Sequence, residues 1–128
     1  MKLLLLFHLF LLLIMAYGCH LENAKDADIE FIPGTYIRFS EHEFGTEYDT
    51  LIITLQNPSA AQYRILRKWK YERVLDGHAI EPEYKRTATT AIYNPAKKIL
   101  EETQRGDIYT FDLRKQILFS GPIKYNKL

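Results

Sequence analysis

The sequence predicts an all-β fold: an antiparallel meander of about seven or eight strands, closed as a small barrel or folded as a sandwich, and preceded by a signal-peptide helix. Three observations predict it. Turn signals recur at Asn57, Asp76, Asn94, Arg105, Arg114 and Gly121, approaching a spacing of eight to twelve residues. The segments between them alternate apolar and polar residues, the period of a half-buried strand. The strongly apolar stretch is confined to the amino terminus, where 15 of the first 18 residues are hydrophobic.

The body opens at Pro33-Gly34. In Thr35 to Ser40, the residues Thr35, Ile37 and Phe39 share a side. A polar connection, Glu41 to Asp49, leads to Thr50–Leu55, rich in β-formers, with Leu51, Ile53 and Leu55 on one face. Asn57-Pro58 could also start a helix. On a helical wheel, however, Tyr63, Leu66, Tyr71, Val74 and Leu75 scatter. Period two does better: Tyr63, Ile65, Trp69 and Tyr71 fall on one side with Arg67, and Arg64, Lys68, Lys70 and Glu72 on the other, around Leu66. This segment is predicted as a long strand ending at Asp76-Gly77, a dipeptide suited to the positive φ angles of a type I′ hairpin turn.

Tyr84 to Tyr93, with three threonines, is the next strand. Strands follow at Lys98–Gln104, Asp107–Asp112, Gln116–Ser120 and Ile123–Tyr125, with turns at Asn94-Pro95, Arg105-Gly106, Leu113–Lys115 and Gly121-Pro122. Short connections make sequential strands antiparallel neighbours. The curled sheet is expected to place Ile37, Phe39, Leu51, Ile53, Ile65, Trp69, Ile108 and Leu118, or their alternates, inside.

Residues 1–18 read as a signal peptide. Lys2 supplies a minimal positive start, and Leu3 to Tyr17 would make a helix of about 22 Å, short of the roughly 30 Å of a bilayer core. Removing this segment leaves 16 basic and 16 acidic residues, a balance that gives no general attraction for nucleic acid or anionic membrane. Ala16-Tyr17-Gly18 satisfies the small-x-small rule for ordinary cleavage. Followed by Cys19, the same residues resemble a bacterial lipobox, which implies cleavage before Cys19 and acylation of its thiol and new amino group. Cys19 is the only cysteine in the chain, and its place directly after a cleavage site favours the lipoprotein reading. Residues 19–32 are then the acylated cysteine and a tether, and 33–128 the barrel-like domain. Glu22, Asp26 and Asp28 after the cysteine are similar to surface-export signals of some Bacteroidota lipoproteins; a solvated linker is the plainer reading.

Four motifs of the body carry a wider resemblance: Pro33-Gly34-Thr35-Tyr36, Asp49-Thr50-Leu51, Tyr93-Asn94-Pro95, and Gly106-Asp107-Ile108-Tyr109-Thr110-Phe111. Over residues 33–125 the chain resembles small Bacteroidota lipoproteins of unknown function with lipocalin-like β-meander bodies. The resemblance implies a fold and an envelope compartment; it carries no catalytic residue.

Signals for chemistry are sparse. Glu41-His42-Glu43 offers metal-ligand types, but adjacent residues on an extended chain point apart, so no metal site is assigned. No glycine-rich phosphate loop or nucleophile elbow is present. No catalytic residue and no cofactor are assigned. The candidate ligand or partner surface is Tyr63, Arg67, Trp69, Tyr71 and Arg73, where cations interleave with aromatics. Such a pattern suits single-stranded nucleic acid, a partner the expected envelope location excludes; an anionic glycan, a lipid head group or an acidic protein fits as well. The competing reading has the aromatics filling the core and the cations solvating the outer face. The expected function is a non-enzymatic binding or assembly lipoprotein, held on the outer membrane by its lipid and contacting an envelope protein or glycan. The alternative is a small envelope hydrolase or lipophilic-ligand carrier with an interior pocket. A deep cavity with a shielded carboxylate favours the second, and a filled core the first.

Overall fold

The structure, a computed structural model, describes Met1 and residues 26–128. The expected signal peptide, Cys19 and the first part of the tether lie outside the described residues. A short helix α1 (Ala27–Phe31) precedes nine strands: β1 (Gly34–His42), β2 (Gly45–Asn57), β3 (Gln62–Leu75), β4 (His78–Ala79), β5 (Glu83–Asn94), β6 (Ile99–Glu102), β7 (Ile108–Asp112), β8 (Ile117–Ser120) and β9 (Ile123–Lys127). Eight of them form a closed antiparallel barrel in which each strand pairs with its neighbour in the chain and β9 returns to β1. The ninth, β4, is a two-residue addition folded onto the end of β3. Closure pairs the lower part of the sheet on both sides and removes the edges that a curled open sheet would carry there.

The turns form where the sequence places them. Asp76 (φ 49°) and Gly77 (φ 76°) both adopt the left-handed conformation that a type I′ turn requires. At the β1–β2 hairpin, Gly45 is obligatory for a different reason: a Cβ there would sit 2.2 Å from the Glu72 carbonyl oxygen. No side chain fits where β2 passes that close to β3.

The interior is filled. Tyr36, Leu51, Ile53, Tyr63, Ile65, Ala91, Tyr93, Leu100, Tyr109, Leu118 and Tyr125 point inward and are buried. Leu51, Ile53, Ile65 and Leu118 were expected there. Ile37, Phe39 and Ile108 were expected too, but are exposed, and their neighbours Tyr36 and Tyr109 take the inner positions. The physical reason in β1 is the phenol. Tyr36 Oη donates to the carbonyls of Phe31 and Ile32, 2.9 Å each, at the carboxyl end of α1. Those carbonyls are among the groups a helix leaves unpaired, and an isoleucine could not serve them.

The same helix closes one end of the barrel. Asp26 caps it by accepting from the Asp28 N–H at 3.0 Å. Tyr93 Oη donates to Asp26 Oδ2 (3.0 Å) and Asp28 Oδ2 (2.8 Å), and Lys127 Nζ donates to the Phe31 carbonyl. Ile32 is fully buried. The tether was expected to extend to residue 32, yet Asp26–Ile32 packs against the barrel as its plug.

The other end is open and uneven. Strands β6 to β9 have 4 or 5 residues, whereas β2, β3 and β5 have 12 to 14. β5 pairs with β6 only from Ala91 to Asn94, but with β3 as far as Glu83. The eight residues Glu83–Thr90 therefore carry the wall about 26 Å beyond the short strands. With β1, β2 and β3 they form a tall curved wall standing over the barrel mouth.

Candidate site at the barrel mouth

On the tall wall the inner face is set by strand parity: Arg67, Trp69, Tyr71 and Arg73 of β3 face the same way as Asp49 and Glu47 of β2 and Thr87, Lys85 and Glu83 of β5, their register partners. Where this face meets the rim of the short strands lies a cavity of about 380 Å³, lined by Arg67, Trp69, Lys85, Thr87 and Arg105. β3 supplies Arg67 and Trp69, β5 supplies Lys85 and Thr87, and the β6–β7 turn supplies Arg105.

The floor beneath these cations is anionic, and its acceptors are engaged. Asp49, with no exposed side-chain surface, accepts Arg67 Nε on Oδ1 (2.9 Å) and Arg67 Nη2 on Oδ2 (2.6 Å). Tyr125 Oη adds a third donor to Asp49 Oδ2 at 2.8 Å. Glu102, equally shielded, accepts the backbone N–H groups of Gln104 (2.9 Å) and Arg105 (2.7 Å) across the turn. Paired in this way, a buried carboxylate is tolerated; alone it would cost several kcal/mol. The carboxylate of Asp49 holds the Arg67 guanidinium well above its ordinary pKa, chiefly through their hydrogen bond. Burial, and then the bond to Asp49, raises that of the Tyr125 phenol.

What faces the cavity is therefore donor-rich. A guanidinium has five N–H groups, and Arg67 spends Nε and Nη2 on Asp49. Lys85 has no ion-pair partner among the described residues; its Nζ sits 5.0 Å from the centre of the Trp69 ring. Arg105 pairs at the rim with Asp107 at 3.4 Å. No carboxylate lines the cavity. Three cationic heads, a threonine hydroxyl and one indole can meet an anionic group carried on a flat or apolar body.

The five residues of the candidate surface share this inner face but not one role. Arg67 and Trp69 line the cavity. Tyr63 is 1% exposed and belongs to the core, so it is no surface residue. Tyr71 stacks beside Trp69, ring centres 5.8 Å apart, and donates to the Phe44 carbonyl at 3.0 Å. Arg73, higher on the wall, pairs with Glu83 at 2.9 Å. Lys85, Thr87 and Arg105 were missed. Their signal was the pairing of Trp69 with Lys85 and Arg67 with Thr87, readable only once the β3–β5 register is fixed. Cys19 lies outside the described residues. Among those described, no group of three or more His, Cys, Asp and Glu is placed to hold a metal ion. A search of family models, of curated proteins and of solved structures finds no match to the chain.

Proposed function

We propose that the chain is a lipid-anchored, non-enzymatic binding module of the cell envelope, lipocalin-like in its body, whose barrel mouth takes a carboxylate or phosphate group. One observation carries the binding reading: three cations and the indole converge on one cavity while the carboxylates beneath are already bonded to other donors. The filled barrel supports a binder at the mouth over a carrier with an interior lipophilic pocket. Asp49 and Glu102 are shielded, as the hydrolase alternative required, but both serve as structural acceptors, and neither lines the cavity. The anchor rests on Ala16-Tyr17-Gly18-Cys19. Acyl chains add about 0.8 kcal/mol per buried methylene, and two or more hold stably.

Calorimetric titration with inorganic phosphate and with benzoate tests the mouth. Saturable binding of at least one, weakened about tenfold or more in Lys85→Gln/Arg105→Gln, is expected; equal heats in both proteins would overturn it. For the anchor, Cys19→Ser is expected to abolish lipid labelling. Unchanged labelling contradicts lipidation at that residue.

A further inference from the structure

The outer face of the tall wall carries a second arrangement of a different kind. Its side chains form two rows across four strands. Register aligns Phe39, Tyr48, Lys70 and Tyr84 in one row, and Ile37, Thr50, Lys68 and Arg86 in the next. The apolar members stand in water: Tyr84 is 69% exposed, Phe39 60%, Tyr48 40% and Ile37 38%. A groove of about 420 Å³ runs among Tyr48, Thr50, Lys68, Lys70, Tyr84 and Arg86.

The charges are as unusual as the exposure. Lys68 and Arg86 face each other directly across β3 and β5, a like-charge pairing that weakens a sheet. Neither has an ion-pair or hydrogen-bond partner among the described residues. The rows contain no carboxylate. The next row holds two, Glu41 and Glu72 on either side of Thr46, and Glu72 is spent on Lys70. The fold thus tolerates concentrated positive charge among exposed rings on a chain body whose formal charges balance overall.

We propose that this face lies on an anionic lipid surface, with a lipid phosphate seated in the groove between Lys68 and Arg86. Tyrosines with an apolar body and a wet tip suit the membrane interface. Lysine and arginine stems can lie along the apolar surface while their heads reach the phosphates. Each basic group near an anionic surface strengthens attraction by roughly a factor of five. An acidic protein would satisfy the cations, but it gives no separate reason for four exposed apolar side chains beside them. Trp69 and Lys85 border both this groove and the mouth cavity, whereas Lys68 and Arg86 belong to the groove alone and so distinguish this inference from the anion site.

The test uses the full chain on vesicles of phosphatidylcholine alone and of phosphatidylcholine mixed with an equal part of phosphatidylglycerol. Lysines are acetylated briefly and read by mass spectrometry. Lys97 and Lys115, on exposed turns at the plugged end, serve as internal controls. Several-fold slower acetylation of Lys68 on the anionic vesicles, with Lys97 and Lys115 unchanged and the effect reversed by salt, is expected. Arg86→Glu removes one attraction and adds one repulsion, so docking falls roughly thirtyfold and Lys68 returns to its rate without vesicles. Tyr84→Ala gives a smaller loss in the same direction. Equal acetylation on the two vesicle types overturns the proposal. So does protection of Lys68 by inorganic phosphate alone, which indicates a small-anion site, or protection without vesicles, which indicates a second copy covering the face.

Discussion

The two ends of the barrel use the same bond to different effect. At the plugged end, Tyr93 donates to Asp26 and Asp28, and Tyr36 donates to the last carbonyls of α1. At the mouth, Tyr125 donates to Asp49. In both places a phenol carries apolar bulk into the core and satisfies a buried oxygen with its tip. The plugged end is completed by this exchange, with Asp28, Tyr36 and Tyr93 buried and Asp26 half-buried beside them. At the mouth the short strands stop early, and Arg67 joins Asp49 with donors to spare. The proposed binding site arises here from stopping four strands short and leaving cations above a finished carboxylate layer.

Alkali should break both ends and gives the largest effect. Tyr36, Tyr63, Tyr93, Tyr109 and Tyr125 all have pKa values raised above the ordinary 10.0, in each case first by burial. The folded chain thus keeps protons that the unfolded chain releases. Stability from this source is complete below pH 10 and falls as pH rises toward the folded values, by up to about 1.4 kcal/mol per pH unit per tyrosine. Urea unfolding at stepwise pH should show a steep decline above pH 10. A flat profile to pH 11 would contradict the buried-phenol core.

Asp49→Asn breaks the mouth selectively. It takes the countercharge from Arg67 and the ionised acceptor from Tyr125, a loss expected near 3–5 kcal/mol in chemical denaturation. A cost below about 1 kcal/mol would mean that the acid is not the floor of the site. Tyr93→Phe breaks the plugged end more gently. Asp26 and Asp28 lose a shared donor, for about 1–3 kcal/mol, and faster amide exchange is expected in Ala27–Ile32 than in β3. Uniform change across the chain would show that α1 is no separate plug. The smallest stability effect belongs to Lys85→Gln, within about 0.5 kcal/mol. It should leave the melting curve almost unchanged while weakening anion binding, which separates the site from the scaffold.

Much of the scaffold was legible because turn chemistry is local. Asp76-Gly77, Asn94-Pro95 and Gly121-Pro122 mark strand ends by residues that constrain only their own backbone. Parity was legible in β2 and β3, where β-branched and leucine side chains face the core. It was misread in β1 and β7: in β1 isoleucine and phenylalanine look more buried than tyrosine until the partner of the Tyr36 phenol is known, and in β7 Ile108 looks more buried than Tyr109. The acceptor for Tyr36 comes from α1, a five-residue helix with no periodic stripe, held by Tyr93 and Lys127 from far along the chain. The site was half legible for the same reason. Arg67 and Trp69 stand out in one strand, but Lys85, Thr87 and Arg105 join them only through strand pairing and a turn on the opposite rim.

The central claim is that anions are held at the barrel mouth, and Trp69 reports on it directly as the only tryptophan in the chain. Its emission should be followed during titration with benzoate and with inorganic phosphate at constant ionic strength. A saturable spectral change, lost in Lys85→Gln/Arg105→Gln and retained in the outer-face variant Arg86→Glu, is the expected result. An indole spectrum that does not change with either anion, or changes identically in the double variant, would contradict it.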